Sequence, residues 1–127
     1  MISVLGCSTL PGDKFIRHHF PKTKAFVDTE PTEPYKVLGV VRARANFNTA
    51  DPNRDERMLC ENYYNKAVKE LVRRAKNEAG GDAVMRVRSV VFYMDGKTDL
   101  FPRPECSDDG AEGQVLVQGE AIRYTPK

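Results

Sequence analysis

The segment RDERMLCENYYNKAVKELVRRAKNEAGGDAVMRVRSVVFYM (residues 54–94) decides the fold of this chain. In its first part, apolar residues recur at steps of three and four, which predicts an amphipathic helix over residues 54–79. The members of this apolar stripe are Cys60, Tyr64, Ala67, Val68, Leu71, Ala75 and Ala79. Gly80 and Gly81 favour the left-handed turn that ends helices. The β-branched run over residues 83–94 predicts a strand directly after that turn.

Further strands are predicted on both sides of this helix–strand unit. YKVLGVVRARA (residues 35–45) alternates and is rich in valine, and QVLVQGEAIRY (residues 114–124) has the same character near the end of the chain. Asp95-Gly96 is a strong hairpin turn, so a short strand over residues 97–101 should return along the one before it. We therefore expect an α+β fold of two layers, with one long helix on one face of a small mixed β-sheet. The predicted order is β-α-β-(short β)-β.

Each long predicted strand has one apolar phase and one phase that carries charge. The apolar phases contain Val37, Gly39, Val41, Ala43, Ala83, Met85, Val87, Val91, Val115, Val117, Gly119 and Ala121. The opposite phases contain Arg42, Arg44, Arg86 and Arg88, together with Phe92, Glu120 and Tyr124. Because strand side chains alternate between the two faces, the sheet should bury one face under the helix and expose an arginine-bearing face.

Composition limits the function classes. The chain has 127 residues, enough for one domain, and its net charge of +2 is too small to indicate a polyanionic partner. No apolar run approaches the length of a membrane span. Its two histidines, His18 and His19, both lie in the polar front segment. Since neither a nucleophile elbow nor a phosphate-binding glycine loop occurs, we expect no enzyme activity and no cofactor; an enzyme of unfamiliar chemistry is the alternative.

The front of the chain has the features of an anchored tether. Val4-Leu5-Gly6-Cys7 resembles the lipobox of bacterial lipoproteins, in which the cysteine is lipidated, so residues 1–7 are interpreted as a residual signal peptide with Cys7 as the lipidation site. The alternative to a lipobox is that these small residues precede Cys7 by chance. Residues 8–34 are polar and contain four prolines, which predicts a flexible linker. The domain should then occupy residues 35–127.

Three segments together resemble a known family. YKVLGVVRARA, the helix that runs into AGGDAVMRVR, and GQVLVQGEAIRY are similar to the YbjQ-type small domains, often labelled heavy-metal-binding. The layout is closest to the RcsF-like envelope lipoproteins, and the resemblance covers residues 35–124. It implies a binding or sensor module anchored by an N-terminal lipid in the bacterial cell envelope, at the outer membrane facing the periplasm, with an envelope protein as partner. The alternative is a soluble, cytoplasmic homo-oligomer of the YbjQ type that binds a small molecule or a metal; the oligomeric state stays open.

An oxidising compartment would allow Cys60 and Cys106 to form a disulfide. The second long strand should run antiparallel to the helix and end near its first turns, which brings the loop that carries Cys106 towards Cys60. In a cytosolic protein, the expected alternative is a buried free Cys60 and an exposed free Cys106. These two thiols have no further ligands at suitable spacing, so no metal site is predicted.

The arginine-bearing face is the candidate binding surface. Its members are Arg42, Arg44, Arg86, Arg88 and Tyr124. Such a surface could meet an acidic partner protein or anionic lipid headgroups. The alternative is a solvated sheet face on which arginine pairs across strands with residues such as Glu120. A nucleic-acid partner is not expected.

Overall fold

The computed structural model describes Phe20 and residues 23–48, 55–108 and 112–126. The predicted lipidation site Cys7, the two histidines and the first part of the predicted linker lie outside these residues. The described residues include no helix that is both long and apolar enough to cross a membrane.

One helix packs on one sheet, which confirms the predicted α+β class. The elements are β1 Tyr35–Asn48, α1 Glu56–Ala79, β2 Ala83–Phe92, β3 Thr98–Phe101, β4 Ser107–Asp108 and β5 Glu112–Tyr124. The strands lie in the order β1-β5-β2-β3, and β4 also pairs with β5. The two-residue strand β4 was not predicted.

The expected mixed sheet is wrong for these strands, because every ladder between them is antiparallel. The crossover through α1 does make β1 and β2 parallel to each other, as a β-α-β unit should. However, β5 inserts between them and runs antiparallel to both. The sequence order of the elements does not reveal such an insertion.

The helix begins and ends where its capping residues place it. The Asp55 side chain accepts a hydrogen bond from the Met58 N–H at 3.0 Å, which satisfies one free donor of the first turn. Gly80 adopts the left-handed conformation, with φ 71°, and its N–H bonds to the Lys76 carbonyl. The Arg123 guanidinium donates to the Gly80 carbonyl at 3.0 and 3.2 Å, where a positive charge also favours the helix dipole.

The predicted apolar stripe of α1 forms the centre of the core. Tyr64, Ala67, Val68, Leu71 and Ala75 are all at most 1% exposed. They pack against inward-facing residues of the sheet, which include Val41, Ala43, Val84, Val87, Val115, Val117 and Ala121. The small side chains on the sheet allow the helix to approach closely, as the sequence pattern indicated.

Two β-bulges change which residues of β1 and β2 face the helix. The register of β1 against β5 shifts between Val37 and Gly39, and Val37 is therefore 47% exposed instead of buried. A second shift follows Met85, at Arg86, whose φ of 52° is unusual for a residue with a side chain. Because one extra residue moves its neighbours to the opposite face, the predicted inward positions of Val37, Ala83 and Met85 are wrong.

The described part of the predicted linker packs on the domain, so packing begins before the predicted boundary at Tyr35. We call residues 23–34 the strap. Lys24 and Phe26 bond to the free edge of β2: the Val84 N–H donates to the Lys24 carbonyl and the Phe26 N–H to the Val84 carbonyl, both at 2.9 Å. Ala25, which bridges Val84 in parallel, is 4% exposed. The edge of β2 beyond the end of β3 needs hydrogen-bond partners, and the strap supplies them.

The strap also covers the outer face of the sheet at the same end. Phe26, Tyr35 and Tyr124 pack there against three buried residues, Ala83, Met85 and Ile122. The expectation of one buried and one open face is therefore wrong at this end of the sheet, which carries apolar side chains on both sides.

The packing of the strap predicts that its residues contribute to stability. We expect Ala25→Asp to lower the free energy of unfolding by about 2–4 kcal/mol, because it places a carboxylate among buried apolar groups. Thr29→Asp, on an exposed position of the same segment, is the matched control and should change stability by less than about 0.5 kcal/mol. Urea unfolding followed by circular dichroism measures both. Equal midpoints for the two variants would contradict the packing of the strap.

Candidate functional site

The strand register shows how the predicted arginine-bearing face is built. Arg42 on β1 and Arg88 on β2 both lie opposite Gln118 of β5, one on each side of it. Arg44 lies opposite Leu116, the next residue of β5 on the same face. Since neighbouring strands are about 4.8 Å apart, these side chains start from one continuous patch of the outer face. The four guanidinium groups differ in their hydrogen-bond partners.

Arg42 and Arg44 are exposed and are each held by a glutamine. The Arg42 Nε donates to the Gln118 Oε1 at 3.1 Å, and an Arg44 terminal nitrogen donates to the Gln114 Oε1 at 3.4 Å. Neither forms an ion pair with a carboxylate in the described part of the chain. Because a guanidinium has five N–H donors, both keep donors for another molecule, and their positive charges are not neutralised locally.

Arg86 and Arg88 are already engaged within the domain. An Arg86 terminal nitrogen lies 2.9 Å from the Glu120 Oε1, and this hydrogen bond raises the pKa of the arginine. The half-buried Arg88 donates to the Val27 carbonyl at 2.9 Å and to the Val87 carbonyl at 2.8 Å, which fastens the strap to β2. Among the described residues, two of the four predicted arginines, Arg42 and Arg44, are therefore open to solvent and have no partner carboxylate.

Tyr124 lies apart from these arginines, at the wall of a cleft under the strap. The cleft has a volume of about 650 Å³ and is lined by Phe26 and Tyr124 together with Glu30, Glu33 and Asp82. Burial raises the pKa of Tyr124, and the charges of Glu33 and Asp82 raise it further. Sequence reasoning missed this cleft because it forms between the strap and the sheet. The apolar trio Ala25-Phe26-Val27 within a polar segment was the signal that could have found it.

The predicted neighbourhood of Cys60 and Cys106 is confirmed. Their Cα atoms are 5.9 Å apart, within disulfide range, and the structure joins the two residues as a disulfide between the helix and the loop from β3 to β4. Ser89 of β2 holds the same loop, because its hydroxyl donates to the Arg103 carbonyl at 2.7 Å and accepts from the Glu105 N–H at 3.3 Å. The loop is therefore fixed to both layers of the domain.

Tyr64, one helical turn after Cys60, has an unusual environment. It is 1% exposed, its ring packs edge-to-face against Phe20, and its hydroxyl has no hydrogen-bond partner among the described residues. The pKa of Tyr64 is raised to about 12, mainly because the hydroxyl is buried. The positive charge of Arg88 lowers this pKa, and the negative charge of Asp28 raises it. Tyr64 therefore keeps its proton at neutral pH and cannot act there as a base.

The described residues contain no group of three or more His, Cys, Asp or Glu side chains that could hold a metal ion. His18, His19 and Cys7 lie outside that part of the chain, so this finding does not include them.

Comparisons with known proteins support the fold alone. No protein-family model matches the chain, and no curated protein sequence matches it. The structure is similar to the crystal structure of a protein of unknown function from Pediococcus pentosaceus that belongs to the DUF74 family. The match has a TM-score of 0.54 and 15% sequence identity, and it covers 83% of this chain and 100% of the other.

The disulfide closes a long segment of chain and should contribute substantially to stability. The two cysteines are 46 residues apart, and the chain-entropy relation gives about 4 kcal/mol for a loop of that size. We expect the Cys60→Ser/Cys106→Ser variant to lose about 2–4 kcal/mol of unfolding free energy, measured by urea unfolding. Cys7→Ser is the matched control for removal of a thiol. Rapid labelling of both cysteines in the native, air-oxidised protein would refute the bridge.

Proposed function

We propose that this chain is a lipid-anchored protein of the bacterial cell envelope whose small domain is a partner-binding module. The observation that carries this proposal is the placement of Cys60 and Cys106 at disulfide distance. Disulfides persist in oxidising compartments such as the periplasm, whereas cytosolic thiols are kept reduced. The bridge joins a surface loop to the helix and thereby stabilises the folded domain relative to the unfolded chain.

Two features of the sequence support the anchor. Cys7 follows Gly6 in the lipobox-like sequence, and the three-segment resemblance to RcsF-like envelope lipoproteins implies the same layout. The contacts of Phe20 and the strap shorten the tether, because Phe20 packs against Tyr64 of the helix and the chain then bonds to β2 at Lys24. Residues 8–19 then remain between the lipid and the domain, and a fully extended chain of that length reaches roughly 40 Å at about 3.5 Å per residue. The domain would stay close to the membrane that anchors it.

The partner surface that we assign is the open part of the outer sheet face at Arg42 and Arg44. Both guanidiniums are exposed, oriented by glutamines and without an internal carboxylate partner in the described part of the chain. Val40, 62% exposed, provides apolar area on the same strand. Charge complementarity favours an acidic segment of another envelope protein.

A soluble homo-oligomer of the YbjQ type, which binds a small molecule or a metal in the cytoplasm, is the second candidate. The cleft under the strap favours it, because its volume of about 650 Å³ lies within the usual range for small-molecule sites. Its walls combine the aromatic rings of Phe26 and Tyr124 with three carboxylates.

The anchor and the compartment can be tested in one set of bacterial strains. The gene is expressed from its native genomic region, and cells are fed labelled palmitate. We expect wild-type protein to take up label, Cys7→Ala to take up none, and alkylation after acid quenching to find Cys60 and Cys106 blocked. Free thiols at both positions, together with wild-type protein that takes up no label, would reject the envelope proposal and favour the cytoplasmic candidate.

The assigned surface is tested with the full chain carrying Cys7→Ser and with fluorescent polyglutamate as an acidic probe. We expect Arg42→Glu/Arg44→Glu to weaken binding by about tenfold or more, because attraction becomes repulsion at the contact. Lys69→Glu/Lys76→Glu makes the same change in net charge on exposed positions of the helix and is the matched control. If both double variants weaken binding equally in an anisotropy titration, the probe senses only net charge and the assigned surface is wrong.

A further inference from the structure

The hairpin of β2 and β3 leaves one edge of the sheet open. The Tyr93 N–H bonds to the Lys97 carbonyl at 2.8 Å, and pairing then continues in register with Val91 opposite Asp99. Hydrogen-bonded and non-hydrogen-bonded pairs alternate in an antiparallel ladder, so the backbone groups of Thr98 and Leu100 point away from β2. Because β3 is the last strand in the sheet order, these groups face outward.

Large apolar side chains are exposed next to this open edge. Leu100 on β3 is 49% exposed and Phe92, at the end of β2, is 54% exposed. Tyr93 and Met94 in the turn are also exposed, Met94 completely. An open strand edge beside exposed apolar groups is the combination through which sheets add a strand from another chain.

We propose that β3 pairs antiparallel with β3 of a second copy of this chain, with Thr98 opposite its own counterpart. The charges on the strand are self-complementary in this register: Lys97 of each copy lies opposite Asp99 of the other, which gives two identical ion pairs. A two-fold axis through the Thr98 pair relates the copies, so the interface is isologous and closes as a dimer.

Neighbouring registers are less favourable for reasons that the sequence shows. With Leu100 opposite Thr98, the two copies of Asp99 face each other, and like charges directly opposite are destabilising. With Leu100 opposite its own counterpart, Thr98 faces Pro102, which has no N–H to donate. In the Thr98-centred register, Leu100 faces Gly96 of the second copy, which has no side chain to clash with it.

The dimer surface is separate from Arg42 and Arg44, which lie on β1 at the opposite edge of the sheet. The inference therefore does not rest on the proposed anchor or on the assigned partner surface. Since β3 has four residues, the interface is small, and the association should be weak and depend on concentration.

A charge swap tests the register. The full chain with Cys7→Ser is studied by sedimentation velocity over a range of concentrations, and we expect a monomer–dimer equilibrium. Asp99→Lys should raise the dissociation constant by about tenfold or more, because it places like charges at both ion pairs. Lys97→Asp/Asp99→Lys should restore dimerisation, although it also lacks the hydrogen bond between Asp99 and Tyr93. Glu78→Lys, an exposed charge reversal on the helix, is the control.

A cysteine at the two-fold axis gives an independent readout. Hydrogen-bonded antiparallel residues have Cα atoms about 5.5 Å apart, within disulfide range, so Thr98→Cys should form a covalent dimer on mild oxidation, whereas Lys69→Cys should not. Any of three results would overturn the proposal: a monomer at every concentration, a charge swap that does not restore the dimer, or equal cross-linking at both cysteine positions.

Discussion

Strand β5 is the element on which the other parts of this domain depend. It forms antiparallel ladders with β1 over its whole length, with β2 from Ala83 to Ser89, and with β4. Gly119 lies at its middle, where an added Cβ would come within 3.2 Å of the Met85 carbonyl oxygen and 3.3 Å of the Leu71 side chain. The absence of a side chain at this position therefore lets Leu71 of the helix and Met85 of β2 lie closer to β5 than a Cβ there would allow. The bulge of β2 lies opposite Gly119, between the partners Glu120 and Gln118, and the bulge of β1 lies opposite Ala121 and Ile122, so both changes of facing residues occur along this part of β5.

Much of this fold could be predicted from the sequence because its signals are local. The spacing of Tyr64, Val68, Leu71 and Ala75 defines the buried stripe of the helix, and Gly80 marks its end. The bulges could not be predicted, because both phases are apolar where they begin: Val37 is followed by Leu38 in β1, and Ala83, Val84 and Met85 are consecutive in β2. The place of β5 between β1 and β2 was equally hidden. It depends on contacts between residues far apart in the chain, which no periodicity records.

At the candidate site too, the features set by local sequence could be predicted and those set by distant contacts could not. Alternation placed Arg42, Arg44 and Arg88 on one face, as the register has them. It did not show that Arg88 turns towards the Val27 carbonyl, because the strap held there is bound largely through its backbone. Backbone hydrogen bonding leaves little trace in amino-acid composition, so the strap resembled a free linker. Cys60 and Cys106 could be paired in advance because the direction of β2 relative to the helix follows from simple connectivity.

The attachment of the strap has a mechanical consequence. A force that pulls on the chain from its N-terminal side reaches Phe20 and the strap before the rest of the domain, so the contact of Phe20 with Tyr64 and the bonds of Lys24 and Phe26 bear it first. The contact between Arg88 and the Val27 carbonyl is the next to bear the load. The disulfide joins α1 to the loop after β3 and lies outside this path, so the strap can detach under tension while the helix and that loop stay joined.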